Sequence, residues 1–173
     1  MRLFIALCFD RQVRRQIRDV QKRLGALARR GALTPEENLH LTLAFLGEVP
    51  EARLGAVQEA MEAVDMVPLT LTFDRLGRFS QREGALWWLG AAPDPALETV
   101  QAAQARQLRQ RGFLLEERAF KPHLTLGRRM ELPEAPDREA VLGAPITAHA
   151  EQMTLMRSQR GERGMCYTPL YRR

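Results

Sequence analysis

Apolar positions recur every three or four residues over three stretches of the chain. Val13, Ile17, Val20, Leu24 and Leu27 make the first stripe, which predicts a helix with Asp10 as N-cap and Gly31 as its stop. Leu54, Val57, Met61 and Val64 make the second, predicting a helix over roughly 51–65 that starts at Pro50. The third should run over roughly 95–111, with Asp94 as N-cap and Gly112 at its end. Its line of Leu97, Val100, Gln104 and Leu108 is less pure. A short fourth helix is predicted near 137–142. Strand-like segments fill the gaps, at roughly 39–46, 69–76, 85–90, 113–118, 123–128, 146–156 and 165–171. The continuous apolar run 3–9 reads as a buried first strand.

This order contains a quiet repeat. A helix, a strand opening on histidine, a second helix and a strand pair occur twice, roughly 80 residues apart. The pattern predicts an α+β fold of two similar lobes. Each lobe has an antiparallel-rich sheet and flanking helices, and a pseudo-two-fold axis relates the two around a central cleft. No linker or low-complexity stretch divides the chain, so residues 1–173 are read as a single bilobal domain.

The bulk numbers narrow the partners. Net charge is +5, and Lys22 and Lys121 are the only lysines among 26 basic residues. Arginine carries nearly all the positive charge, and its guanidinium contacts phosphate bidentately. Cys8 and Cys166 lie far apart, with no CxxC or Cys/His metal spacing. Cys8 is read as a core residue and the compartment as the reducing cytoplasm. The first apolar run is too short to span a membrane, and Asp10 and Arg11 follow it with no cleavage-site pattern.

The informative signal is a duplicated tetrapeptide. The chain has three histidines, and two of them open the sequence His-Leu-Thr-Leu, at His40–Leu43 and His123–Leu126. Side chains alternate along a strand, so His40 shares a face with Thr42, and His123 with Thr125. The leucines can bury against helices while the polar faces line a cleft. Phosphodiester cleavage needs a base for the attacking oxygen and an acid for the leaving oxygen, and imidazole can serve as either near neutral pH. The two hydroxyls can donate to the non-bridging phosphate oxygens. Such chemistry needs no metal. His149 has no motif around it and no acidic or cysteine partners nearby, so no zinc site is expected.

On these residues the chain resembles the two-histidine phosphoesterases, and within them the RNA 2′,3′-cyclic phosphodiesterases long called 2′-5′ RNA ligases. The likeness runs from Arg2-Leu3-Phe4-Ile5-Ala6-Leu7 through Asn38–Gly47, Leu86–Gly90 and Phe120–Arg128 to Leu155–Ser158, Gly164 and Tyr167. It implies opening of a 2′,3′-cyclic phosphate to a 2′-phosphate, without cofactor. By resemblance His40 is the proton donor to the 3′ oxygen, His123 the proton acceptor from water, and Thr42, Thr125 and Arg128 hold phosphate. The expected partner is an RNA end, tRNA halves among the candidates, acted on by a monomer away from any membrane. Ala32-Leu33-Thr34 departs from the family's aromatic or basic residue before Pro35-Glu36-Glu37-Asn38-Leu39-His40.

Other residues carry weaker expectations. Strict alternation points Arg128 away from His123, so its role requires a bulge. Lys121 has the parity of His123, with Pro122 between them. Phe45 and Phe120 are read as core rather than base-stacking residues. Arg157, Arg160 and Arg163 flank a turn that either guides an RNA backbone or is a solvated hairpin. Three alternatives stay open. One is 2′-5′ ligation by the reverse chemistry, with no GxxxxGK[ST] loop for ATP. Another is action on a different cyclic or 2′-5′ linked nucleotide. The third is a non-catalytic RNA-binding module.

Overall fold

Leu3, Ile5 and Leu7 are fully buried on one face of the first strand, while Phe4, Ala6 and Cys8 alternate to the other. That strand opens the computed structural model, which describes residues 1–162 and 164–173. The order is β1 (Arg2–Cys8), α1 (Arg11–Leu27), β2 (Arg30–Leu33), β3 (His40–Glu48), α2 (Leu54–Glu62), β4 (Leu69–Gln81) and β5 (Gly84–Ala91). It continues with α3 (Pro95–Gln110), β6 (His123–Glu131), α4 (Arg138–Leu142), β7 (Ile146–Ala150), β8 (Met153–Gly161) and β9 (Gly164–Arg172). The fold is α+β, with a large antiparallel sheet and few helices.

The strands share one sheet in the order β7-β4-β5-β6-β3-β1-β8-β9, with β2 paired to β6. The two motif strands are therefore central neighbours. Among the described residues β3 and β6 join through a single pair, Leu41 with Leu124. Beyond that pair they part, and β2 takes the edge of β6 from Gly127 to Glu131. An antiparallel pair has a local two-fold axis at its centre. An axis between Leu41 and Leu124 relates His40 to His123 and Thr42 to Thr125. Outward from it, β3 meets β1 and β8 while β6 meets β5 and β4.

The helices cross between the halves. α1 follows β1 but packs against β6 and β7, while α3 follows β5 but packs against β3 and α2. Their stripes, from Val13, Ile17, Val20 and Leu24 to Leu97, Val100 and Leu108, join Leu41, Leu43, Leu124 and Leu126 in one buried cluster. Asp10 and Asp94 cap α1 and α3, accepting from the backbone N–H groups of Val13 and Leu97. With the apolar faces so committed, the opposite face of the sheet carries Phe4, Ala6, Met156 and Tyr167 as a separate small cluster.

Four expectations change. Residues 113–118 form a loop rather than a strand. Phe113 is buried but Leu114 is 93% exposed, so the alternation found no sheet edge to join. Gly31 does not stop α1, which ends at Leu27; with φ of 134° it lies inside β2, a strand too short and exposed to show a pattern. The segment 146–156 is two strands, β7 and β8, with different partners. The second helix is a 3-10 turn, Glu51–Arg53, followed by the shorter α2.

Candidate active site

His40 and His123 open β3 and β6 on the face away from the helices, and the same local geometry holds both rings. His40 Nδ1 lies 2.7 Å from the Asn38 carbonyl oxygen, and His123 Nδ1 lies 2.6 Å from that of Lys121. A carbonyl can only accept, so each Nδ1 carries the hydrogen and donates it. Each Nε2 is thereby the unprotonated nitrogen of a neutral ring. At His40 it lies 3.1 Å from the Thr42 hydroxyl, which donates to it while the ring is neutral. Thr42 and Thr125 are half-buried beside their histidines, as alternation requires.

Aromatic rings wall both imidazoles. Phe4 and Tyr167 stand 4.8 and 5.3 Å from His40, centroid to centroid. Phe79 and Trp88 stand 5.4 and 6.1 Å from His123. The Trp88 indole lies flat on the sheet because position 77 has no side chain; a Cβ there would sit 2.2 Å from the ring. This packing strips water from the imidazoles, which disfavours their charged forms. Burial is the main cause that lowers the His40 pKa to about 4, and the charge of Arg128 adds to it. His123 is also lowered, by burial first and then by Arg128 and Arg118. Both shifts favour the uncharged ring in the free protein at neutral pH.

Arg128 reaches this face because β6 is bulged. The register with β5 shifts between Trp87↔Gly127 and Trp88↔Thr125, so Leu126 is an extra residue. Gly127 then faces the helices, where a Cβ would meet Met130 Sδ at 2.4 Å. The next residue, Arg128, turns back toward the histidines, and its charge bears on both. A second shift follows before Met130, where Arg129 adopts φ of 52°. β3 repeats the first bulge. Its register with β1 shifts between Ile5↔Ala44 and Ala6↔Thr42, leaving Leu43 extra.

The remaining candidates divide. Phe45 is 40% exposed with the Arg2 guanidinium 5.0 Å from its ring centre, so the core reading fails for it. The bulge at Leu43 turns it outward as that at Leu126 turns Arg128. Phe120 does pack against the core. Lys121 serves the site through its backbone carbonyl. Cys8 is exposed rather than core, at the end of β1 opposite His40. Arg157 and Arg160 lie on β8, Arg160 exposed toward the turn, and Arg163 lies outside the described residues. The sequence reading missed Phe4, Phe79 and the Asn38 carbonyl as parts of the site. For Phe4 the signal was available, since alternation sets it opposite Leu3 and Ile5. Among the described residues no cluster of three His, Cys, Asp or Glu side chains could hold a metal.

A family model described as the 2′-5′ RNA ligase superfamily matches residues 9–162. This chain belongs to that superfamily. A protein of Archaeoglobus fulgidus named RNA 2′,3′-cyclic phosphodiesterase is 33% identical over 139 residues, covering 79% of this chain and 78% of its own. One of the same name from Thermotoga maritima is 29% identical, over 99% of this chain and 94% of its own. Among solved structures, Escherichia coli LigT complexed with 3′-AMP superposes with a TM-score of 0.82. It is 28% identical, covering 99% of this chain and 95% of that one. A protein with an adenosine monophosphate bound thus shares this fold nearly end to end.

Proposed function

We propose that this protein is an RNA 2′,3′-cyclic phosphodiesterase that opens the ring to leave a 2′-phosphate. The observation that carries the reading is the matched pair of imidazoles, each with Nδ1 tied to a backbone carbonyl so that Nε2 is the nitrogen left for proton exchange. The relatives named RNA 2′,3′-cyclic phosphodiesterase support the substrate class. His123 Nε2 accepts a proton from water as the water oxygen bonds to phosphorus. The P–O3′ bond breaks on the opposite side, and His40 Nε2–H gives its proton to O3′. Thr42, Thr125 and Arg128 donate to the non-bridging oxygens, where negative charge builds. His40 must hold a proton for this step although burial opposes it. The bound phosphate anion supplies the favourable charge, and by engaging Arg128 it also relieves that residue's repulsion.

The site can be run with an RNA 5′-hydroxyl in place of water, which forms a 2′-5′ bond without ATP. Water at its bulk concentration makes hydrolysis the dominant outcome. The two halves of the sheet, joined at their centre by one pair, are read as two lobes of one domain over residues 1–173, with the cleft on their shared face. We read the protein as a monomer, because β7 is a short edge and β9 an edge carrying Pro169, both poor templates for strand pairing. Among the described residues no helix is long and apolar enough to cross a membrane. The free cysteines fit a reducing cytoplasm, and RNA ends such as tRNA halves are the candidate substrates.

The test is turnover of an oligoribonucleotide ending in a 2′,3′-cyclic phosphate, with the product phosphate located. A 2′-phosphate is expected. A 3′-phosphate would contradict the assigned leaving oxygen, and no turnover would contradict the substrate.

A further inference from the structure

Gln21 interrupts an otherwise apolar stripe. It lies on α1 between Ile17 and Leu24, is 4% exposed, and faces the underside of the sheet. A buried amide is costly unless its hydrogens are used. Both of them are. Nε2 donates to the Thr34 carbonyl at 2.8 Å and to the Leu126 carbonyl at 2.8 Å. Leu126 is the extra residue of the bulge, and its oxygen also accepts from the Thr34 N–H at 2.8 Å. The amide therefore staples the end of β2 to β6 at the point where the strand reverses its facing. Two residues on stands Arg128, paired across to Ala32 of the same β2.

The device is repeated in the other half. Gln101 of α3 donates to the carbonyl of Leu43, the extra residue of the matching bulge, at 3.3 Å. A helix glutamine thus meets each bulge carbonyl from behind. We propose that Gln21 is a positioning residue for Arg128, holding the bulge that turns the guanidinium into the cleft toward the substrate phosphate. This rests on the reading that Arg128 binds that phosphate.

The experiment compares Gln21→Leu, Arg128→Ala and the double variant in turnover of the cyclic-phosphate oligoribonucleotide. Ring-proton NMR titration of the histidines accompanies it. Gln21→Leu should lower kcat/KM about tenfold, mostly through kcat, and it should add little once Arg128 is gone. In both single variants the titrations of His40 and His123 should move to higher pH, as the guanidinium's repulsion is lost. His149, beside Thr70 at the β4–β7 edge, is the internal control whose signal should match the parent protein. Full additivity of the two substitutions, or unmoved histidines in a folded Gln21→Leu, would overturn the proposal. If Arg128→Ala itself changes nothing, the phosphate-binding reading fails instead, and the inference with it. Gln21→Met, unbranched and of similar volume, carries the same test should leucine prevent folding.

Discussion

At the residue scale, the proposed site rests on two imidazoles whose burial disfavours their charged forms. The His40 pKa of about 4 lies below the ordinary 6.5, so between those values the folded protein binds fewer protons than the unfolded chain. The stability tied to neutral His40 is therefore fully present above pH 6.5 and drains as pH falls toward 4. Urea midpoints measured from pH 7 to 4 should fall more steeply for the parent than for His40→Gln, and equal slopes would contradict the assignment. Thr125→Val removes a hydroxyl while keeping the shape. It should lower kcat by roughly 10²–10³-fold with the fold intact, the loss typical of one donor to developing charge. A change confined to KM would show uniform phosphate binding instead. At this scale the sequence was most legible. Scarce histidines in a duplicated tetrapeptide named His40, His123, Thr42 and Thr125 together. Arg128 was named by resemblance against its strand parity, and the Leu126 bulge supplies the reversal that parity required.

At the element scale, the stripes predicted α1 and α3 well because Val13, Ile17, Val20, Leu24, Leu97, Val100 and Leu108 all bury against one sheet face. Short exposed segments escaped notice. β2 is four exposed residues whose strand character comes from its partner β6, and Leu114 belongs to a loop in spite of apolar neighbours. The aromatic wall of His123 depended on a pairing that no local pattern announces, Gly77 opposite Trp88. Gly77→Ala tests it. The added methyl must displace the indole, destabilising the fold by about 1–3 kcal/mol. It should also change tryptophan fluorescence and shift the His123 titration, whereas an unchanged spectrum would mean that the ring is not held by the sheet.

At the scale of the whole molecule, one pair of leucines joins the two central strands of the sheet. The local dyad through Leu41 and Leu124 places the second motif where the first requires it, and the crossing of α1 and α3 locks the halves together. The repeat along the chain did not announce the Leu41–Leu124 pair, because strand pairing at a distance is set by tertiary packing rather than by periodicity. Leu124→Ala should cost about 2–5 kcal/mol in denaturant unfolding, as for other fully buried leucines. A cost under about 1 kcal/mol would show that the centre is not tightly packed. The most direct test of the central claim is single-turnover cleavage of a 2′,3′-cyclic-phosphate oligoribonucleotide in EDTA by the parent, His40→Ala and His123→Ala proteins. Conversion to a 2′-phosphate by the parent and a loss of roughly 10²–10⁴-fold in each variant are expected. Undiminished cleavage by either variant, or dependence of the parent on a divalent metal, would contradict it.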